Sequence, residues 1–559
     1  MRLPSFRKLF LLIALTATVP ALALTPVAAR HGMVVSNSRL ATQAGIEMLK
    51  AGGNAVDAAV AVGFALEVTY PFAGNIGGGG FMIIHMADGR SAMIDYREEA
   101  PGGASRNMYL DKQGNEIPGA STVGALSVGV PGTVAGLALA EQKYGKLGLA
   151  RVMKPAIRLA RKGFPVGYWL SQSLERHREL LSKFDASRRI YLRDGNLYQP
   201  GEIFRQPELA RTLRRIARKG PKAFYDGPIA DKIVATIEKY HGIITRQDLA
   251  DYHALVRKPL TGHFRGDEIL APAPPSGGGV ALIEMLNILD PLDLATPDCY
   301  ASMHLIIEAM RRAYADRAAY LGDTDFVSVP IKGLTSPQYA ARLRKEILES
   351  KPDAPIRAGN PVPFEHPNTT HFSVVDAAGD AVSNTYTINN GYGSGVTVAG
   401  AGFLLNDEMD DFTSAPGKPN MYGLIQSEAN AIAPHKRPLS AMTPTIVLHD
   451  NKVRLVLGAP GGGTITNTVL QVLLNVVAYH MDVLRAVITP RFHDQWMPDR
   501  VDVEKWGFSA DTLDKLKKAG YKLHVVDSIG DCEAIAVDPK TGWRFGAADP
   551  RGVGKAAGY

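Results

Sequence analysis

Asn368-Thr369-Thr370-His371-Phe372-Ser373-Val374-Val375-Asp376 is the stretch on which the reading of this chain turns. From Thr370 it alternates as a half-buried strand does, with Thr370, Phe372 and Val374 on one face and His371, Ser373 and Val375 on the other. Ala377-Ala378-Gly379-Asp380 turns the chain, and residues 381–388 read as a return strand ending in Thr387-Ile388-Asn389-Asn390. The hairpin brings the hydroxyls of Thr369 and Thr387 near each other in one of two registers. A four-residue loop sets Thr370 opposite Thr387; a one-residue bulge sets Thr369 there instead. Threonines are ordinary strand formers, so the hairpin acquires chemical meaning only from the rest of the chain.

The chain has 559 residues, 46% hydrophobic and 21% charged, which describes a globular protein with a large core and not a disordered one. The net charge is +7, and three of the cations, Arg2, Arg7 and Lys8, stand in front of an apolar run over residues 9–19. What is left is too little charge for a nucleic-acid binder, and no basic stripe is interleaved with aromatics. The basic start, the short apolar run and the small residues Ala21, Ala23, Ala28 and Ala29 form a secretory signal within residues 1–29, cleaved at about 23–29, whose apolar run is too short to span a bilayer. The expected location is the bacterial periplasm or the exterior, with no membrane anchor after signal removal. The two cysteines, Cys299 and Cys532, lack any spacing pattern and read as free thiols, and without histidine partners they make no zinc site.

Along the chain, Ser36-Asn37 is expected to cap a first helix and Asn54 a second, very apolar one. Residues 131–290 are mostly helical, with a capping box at Thr245-Arg246-Gln247-Asp248. A long helix over residues 299–321 carries Glu308, Arg311, Arg312 and Asp316 on a polar side. Residues 351–367, with five prolines, form an exposed linker. Hairpins dominate from Thr369 on. Strands and helices segregate instead of alternating, which favours antiparallel sheets with helical layers over a doubly wound sheet.

Three motifs bear on chemistry. Gly74-Asn75-Ile76-Gly77-Gly78-Gly79-Gly80 lacks the Lys-Ser/Thr of a phosphate loop and leads into a strand, so structural turns are its first reading. Gly458-Ala459-Pro460-Gly461-Gly462-Gly463 precedes a helix, where adjacent amides suit an anion or a developing oxyanion. Asn406-Asp407-Glu408-Met409-Asp410-Asp411 lacks the ligand spacing of a calcium loop. It reads equally as a solvated turn or as a holder of a substrate ammonium.

From about residue 30 to its end the chain resembles the γ-glutamyltransferases, also called glutathione hydrolases, of the N-terminal-nucleophile hydrolases. The resemblance rests on Gly74-Asn75-Ile76-Gly77-Gly78-Gly79, Asp95-Tyr96-Arg97-Glu98, Thr369-Thr370-His371 and Thr387-Ile388-Asn389. It continues through residues 406–412, Lys436-Arg437-Pro438-Leu439-Ser440, Gly461-Gly462 and the terminal Gly-Tyr. It implies an α+β fold, a four-layer αββα sandwich with two antiparallel sheets between helical layers. It also implies self-cleavage between Asn368 and Thr369 into a large subunit (30–368) and a small catalytic one (369–559) that together form one body.

The same resemblance assigns roles. Thr369 is the nucleophile, its freed α-amine is the general base, and Thr387 orients it. Gly461 and Gly462 hold the oxyanion. Arg97 and Ser440 meet the substrate α-carboxylate, and Asn389, Glu408 and Asp411 bind the α-ammonium. Tyr422, within residues 414–430, belongs to a lid. The partner is a small-molecule γ-glutamyl substrate; neither cofactor nor metal is expected, and His371 is assigned to structure. One departure stands out: the family's second serine beside Ser440 is Ala441 here. The rival readings are a glutaryl-type (cephalosporin) acylase of the same fold, whose substrate has no ammonium, and a non-enzymatic anion-binding protein.

Overall fold

The structure, a computed structural model, describes residues 24–349, 356, 369–415, 420 and 424–559. Asn368, Tyr422, most of the signal segment and nearly all of the Pro-rich linker lie outside the described residues.

Two seven-stranded sheets, each antiparallel throughout, lie face to face. One runs Lys555–Gly558, Met33–Ser36, Thr370–Val375, Ala381–Thr387, Gly79–His85, Ser91–Asp95, Leu255–Arg257; the other runs Val27–Ala29, Arg544–Ala548, Glu533–Val537, Lys452–Leu457, Thr445–His449, Asp267–Ala271, Leu260–Phe264. Between them packs an apolar layer of Val35, Phe81, Ile83, Met93 and Val375 against Leu270, Ile446, Val456 and Ile535. The outer face of the first sheet, with Phe372, Val374 and Tyr386, carries the helices of the N-terminal half, including Ala55–Thr69. The outer face of the second carries Gly277–Leu289, Tyr300–Tyr320 and Thr464–Val477. The expected αββα sandwich is therefore present.

The opening hairpin occupies the middle of the first sheet. Its register pairs Thr370 with Tyr386 and Val375 with Ala381, so the alternative that placed Thr370 opposite Thr387 is not realised, and one step beyond the last pair Thr369 faces Thr387. Asp376 shapes the loop: its Oδ1 accepts the amides of Ala378, Gly379 and Asp380 at 2.9–3.0 Å. The half-buried reading of this strand is corrected, because all six residues from Thr370 to Val375 are buried. One face meets helices and the other meets the second sheet, so a period-2 pattern here separates two interiors and not interior from water.

Asn54 and Thr245 cap their helices with full capping boxes as expected. Ser36-Asn37 does not cap: the cap position is Ser38, with no side-chain bond, because Ser36 lies within a strand and Asn37 is used elsewhere. The polar side of Tyr300–Tyr320 lies inside the protein. Glu308, Arg311, Arg312 and Asp316 are buried, with Glu308 paired to Arg311 at 2.8 Å and to Arg312 at 2.5 Å. Both cysteines are free.

Candidate active site

Thr369 stands at the head of a central strand, and its neighbourhood is fixed from several sides. Asn37 Oδ1 accepts the Thr370 hydroxyl at 2.7 Å and the His371 amide at 3.1 Å, while Asn37 Nδ2 donates to Asp531 and Glu533 at 2.7 and 3.0 Å. His371 bonds through Nδ1 to Thr385 at 2.8 Å and through Nε2 to Ser373 at 3.1 Å. Burial pushes its pKa down to about 3, so the ring stays neutral. It packs on Gly458, where a Cβ would lie 2.3 Å from the ring; its place is structural, at the root of the Gly458–Gly463 loop.

Thr387 ends the partner strand. Its Oγ1 accepts the Asn389 amide at 2.8 Å, and Asn389 adopts the left-handed conformation with φ 72°, a geometry asparagine tolerates better than most residues. This bend turns the chain toward Asp407, whose carboxylate takes Asn390 N and Nδ2 at 2.9 and 2.8 Å. The acidic run is thereby divided. Asp407 holds the bend, Asp410 accepts Ser121 Oγ at 2.7 Å, and Glu408 and Asp411 point inward to Arg97. The solvated-turn reading falls, because all four carboxylates are buried.

Arg97 itself is fully buried. Its Nη1 donates to Glu408 and, at 3.4 Å, to Glu98; its Nη2 donates to Asp411; its Nε donates to the Pro438 carbonyl at 3.2 Å. Burial alone would lower its pKa, but the three carboxylates more than offset this and hold the cation. Burial raises the carboxyls in turn, against the pull of Arg97: Glu98 to about 7, Glu408 well above the ordinary range, and Asp411 also upward.

The Gly74–Gly80 segment is explained by close approach. A Cβ on Gly77 would sit 2.0 Å from the Leu404 carbonyl oxygen and one on Gly78 2.0 Å from that of Thr387. The loop is the floor on which Thr387 and residues 404–408 rest, with Asn406 Nδ2 donating to the Gly77 and Gly129 carbonyls at 2.8 Å. At the other glycine loop, Gly461 and Gly462 both have positive φ, 138° and 53°, and helix Thr464–Val477 follows at once. Ser440 is fixed by backbone bonds to Pro275 at 2.9 Å and from Gly277 at 2.8 Å.

Thr369, Thr387, Asn389, Glu408, Asp411, Ser440 and Gly462 line one cavity, with Ala441, Leu439, Met442 and Ile465 as its apolar wall. Arg97 lies behind Glu408 and Asp411, and Gly461 adjoins Gly462 at the rim of the set. A larger cavity of about 760 Å³ lies elsewhere, beside helices Pro207–Lys219 and Pro228–Lys239, walled mainly by arginines and lysines. Among the described residues no group of three or more His, Cys, Asp or Glu is placed to hold a metal ion.

Three residues of the site escape sequence reasoning. Asn37 sits behind the strand that Thr369 heads. Tyr314 donates its hydroxyl to the Gly463 carbonyl, pinning the end of the glycine loop. Arg317, one helical turn on, lines the cavity itself. The Tyr314/Arg317 spacing puts both on one face of their helix, but nothing in the sequence says that this face looks into a site.

Two stacked antiparallel sheets between helical layers, with a threonine at the head of an inner strand, define the class of N-terminal-nucleophile hydrolases. The family model described as Gamma-glutamyltranspeptidase matches residues 41–559. A glutathione hydrolase proenzyme of Escherichia coli is 46% identical over 540 residues, covering 96% of this chain and 93% of that protein. Among solved structures, a cephalosporin acylase from Bacillus halodurans aligns with a TM-score of 0.85 at 29% identity, over 98% of this chain and 99% of that one. The γ-glutamyltranspeptidase of Helicobacter pylori aligns with a TM-score of 0.55 at 45% identity, over 56% and 90%. The chain belongs to the gamma-glutamyltranspeptidase family.

Proposed function

We propose that this protein is a γ-glutamyl hydrolase and transpeptidase, acting on glutathione and related γ-glutamyl amides, that matures by cutting itself between Asn368 and Thr369. The Thr369 hydroxyl attacks the carbonyl of Asn368, the acyl group shifts from nitrogen to oxygen, and water opens the ester to leave a large subunit ending at Asn368 and a small one, 369–559. The freed α-amine of Thr369, with an ordinary pKa of about 7.7–8.0, then serves as base for its own hydroxyl. That hydroxyl attacks the γ-carbonyl of the substrate. The C–N bond breaks, the amine leaves with a proton, and a γ-glutamyl ester on Thr369 is passed to water or to an amino-acid or peptide amine.

Thr387 orients the nucleophile, and the Gly461 and Gly462 amides receive the oxyanion. Arg97 and Ser440 take the α-carboxylate, and Asn389, Glu408 and Asp411 the α-ammonium; Tyr422 belongs to a lid above them. The observation that carries the reading is that Thr369 and Thr387 share one cavity with Asn389, Glu408, Asp411 and Ser440. Both ends of a zwitterionic head then have partners within reach of one hydroxyl. Export is part of the proposal and rests on Arg2, Arg7, Lys8 and the apolar run that follows. Among the described residues, no helix is long and apolar enough to cross a membrane.

The likeness to a cephalosporin acylase keeps a second reading in view, a glutaryl-type acylase. A glutaryl group has no ammonium to meet Glu408 and Asp411, the two carboxylates that line the cavity beside Thr369. The deciding experiment compares release of p-nitroaniline from γ-glutamyl- and glutaryl-p-nitroanilide. The proposal expects the γ-glutamyl compound to be favoured by at least about tenfold, the scale of one lost charged contact. Equal rates, or a preference for glutaryl, would overturn it.

A further inference from the structure

Helix Tyr300–Tyr320 delivers to the site a second guanidinium, that of Arg317. Arg317 is 3% exposed and lines the cavity with Thr369, Asn389, Glu408, Asp411 and Ser440. Its Nε and Nη2 are buried and have no hydrogen-bond partner among the described residues. Its Nε packs over Gly277, 3.4 Å from where a Cβ would stand. Gly277 opens the helix Gly277–Leu289, whose first amides are themselves electropositive. A buried cation at the positive end of a helix is held at high cost unless an anion faces it. Burial accordingly loosens its proton, and the one carboxylate that acts against this is Asp411.

Asp411, however, is taken by Arg97, and so is every nitrogen of Arg97: Nε by Pro438, Nη1 by Glu408 and Glu98, Nη2 by Asp411. A substrate carboxylate arriving at Arg97 must therefore displace a carboxylate already there. Asp411 is the one with somewhere to go, because Arg317, with two nitrogens that have no partner among the described residues, lines the same cavity.

We propose that Arg317 is a positioning residue that takes over Asp411 when the α-carboxylate of a γ-glutamyl substrate occupies Arg97, keeping Asp411 ionised and turned to the α-ammonium. The exchange moves no proton. Before it, one guanidinium serves three carboxyl groups while the other serves none; after it, Arg97 holds the substrate carboxylate with Glu408 and Glu98, and Arg317 holds Asp411. The charges then match: Arg97, Arg317 and the ammonium against the α-carboxylate, Asp411 and a single negative charge shared by Glu408 and Glu98, both of which burial pushes upward. Ammonium recognition thus depends on a residue that touches no part of the substrate.

This inference rests on the γ-glutamyl reading, and its test separates the two. L-glutamate and glutarate are compared as competitive inhibitors of γ-glutamyl-p-nitroanilide hydrolysis, in the wild type and in Arg317→Met, Arg317→Lys, Asp411→Asn and the Met/Asn double variant. Maturation is scored for each by the appearance of two chains on a denaturing gel. Arg317→Met is expected to weaken L-glutamate by at least about tenfold and glutarate, which loses the exit for Asp411 but no ammonium contact, by a clearly smaller factor, with Arg317→Lys recovering part of the loss. Adding Arg317→Met to Asp411→Asn should cost less than about twofold more, because the first acts through the second. If Arg317→Met does not mature, Arg317→Lys carries the test, with a selective loss for L-glutamate expected. Equal weakening of both inhibitors, or effects that multiply in the double variant, would overturn the role of Arg317 while leaving the activity standing. A wild type that does not turn over the γ-glutamyl anilide removes the underlying reading.

Discussion

Ala441 shares the cavity wall with Ser440, and its backbone carbonyl is already used by the Thr443 hydroxyl at 2.9 Å. Its side chain is a methyl where serine would bring a hydroxyl. Restoring a hydroxyl there adds one hydrogen bond to the head group, worth about 0.5–1.5 kcal/mol. Ala441→Ser is thus expected to lower the KM for γ-glutamyl-p-nitroanilide about two- to tenfold with kcat little changed; initial-rate kinetics decide, and an unchanged or raised KM would show that this wall does not meet the carboxylate. At this scale much of the site was legible. Thr369, Thr387, Asn389, Glu408, Asp411 and Ser440 stand in short runs whose residue types are distinctive, and the structure brings all six to one cavity. The residues that escaped, Asn37, Tyr314 and Arg317, act from elements whose sequence is that of any helix start or amphipathic helix. Their meaning comes from which neighbour they are folded against, and that is a tertiary fact.

Among the elements, the two glycine loops look alike in sequence and differ in physics. Gly461 and Gly462 need positive φ; Gly77 and Gly78 need only the absence of a side chain against the Leu404 and Thr387 carbonyls. Gly78→Ala drives a methyl into the backbone of the strand that carries Thr387, so relief must come from moving the site itself. A destabilisation of about 1–3 kcal/mol is expected, together with loss of turnover; thermal melting and anilide hydrolysis on the same sample check both, and a variant that melts and turns over like the wild type would refute the close contact. Hairpins, capping boxes and the segregation of helices from strands were readable from local pattern. Burial on both faces of Thr370–Val375 was not, since alternation tells that two faces differ without telling what lies against each. What lies against the charged face of Tyr300–Tyr320 was unreadable for a related reason: Glu308 pairs with Arg311 and Arg312 inside, and a paired interior face has the composition of a solvated one.

Taken whole, the molecule holds protons on buried carboxyls at neutral pH. Burial pushes Glu98 up to about 7 and Asp494 and Asp531 up to about 8, whereas the unfolded chain titrates them near about 4. Folded pKa values above unfolded ones mean stability that is complete below about pH 4 and lost as pH rises through 7–8. Asp549, held below its ordinary range against burial by Arg491 and Arg551, acts in the opposite sense, and only in acid. The melting temperature is expected to fall from pH 5.5 to 8.5, with a shallower slope in Asp494→Asn; a rise over that interval would contradict the assignment. The central claim is also one about the whole chain, that Thr369 becomes the first residue of a second polypeptide. Mass spectrometry of the purified protein and of Thr369→Ala tests it most directly. The account predicts two chains for the wild type, the smaller beginning at Thr369 and ending at Tyr559, and one uncut chain for Thr369→Ala. A wild type that stays a single chain, or a small chain with any other first residue, would contradict it.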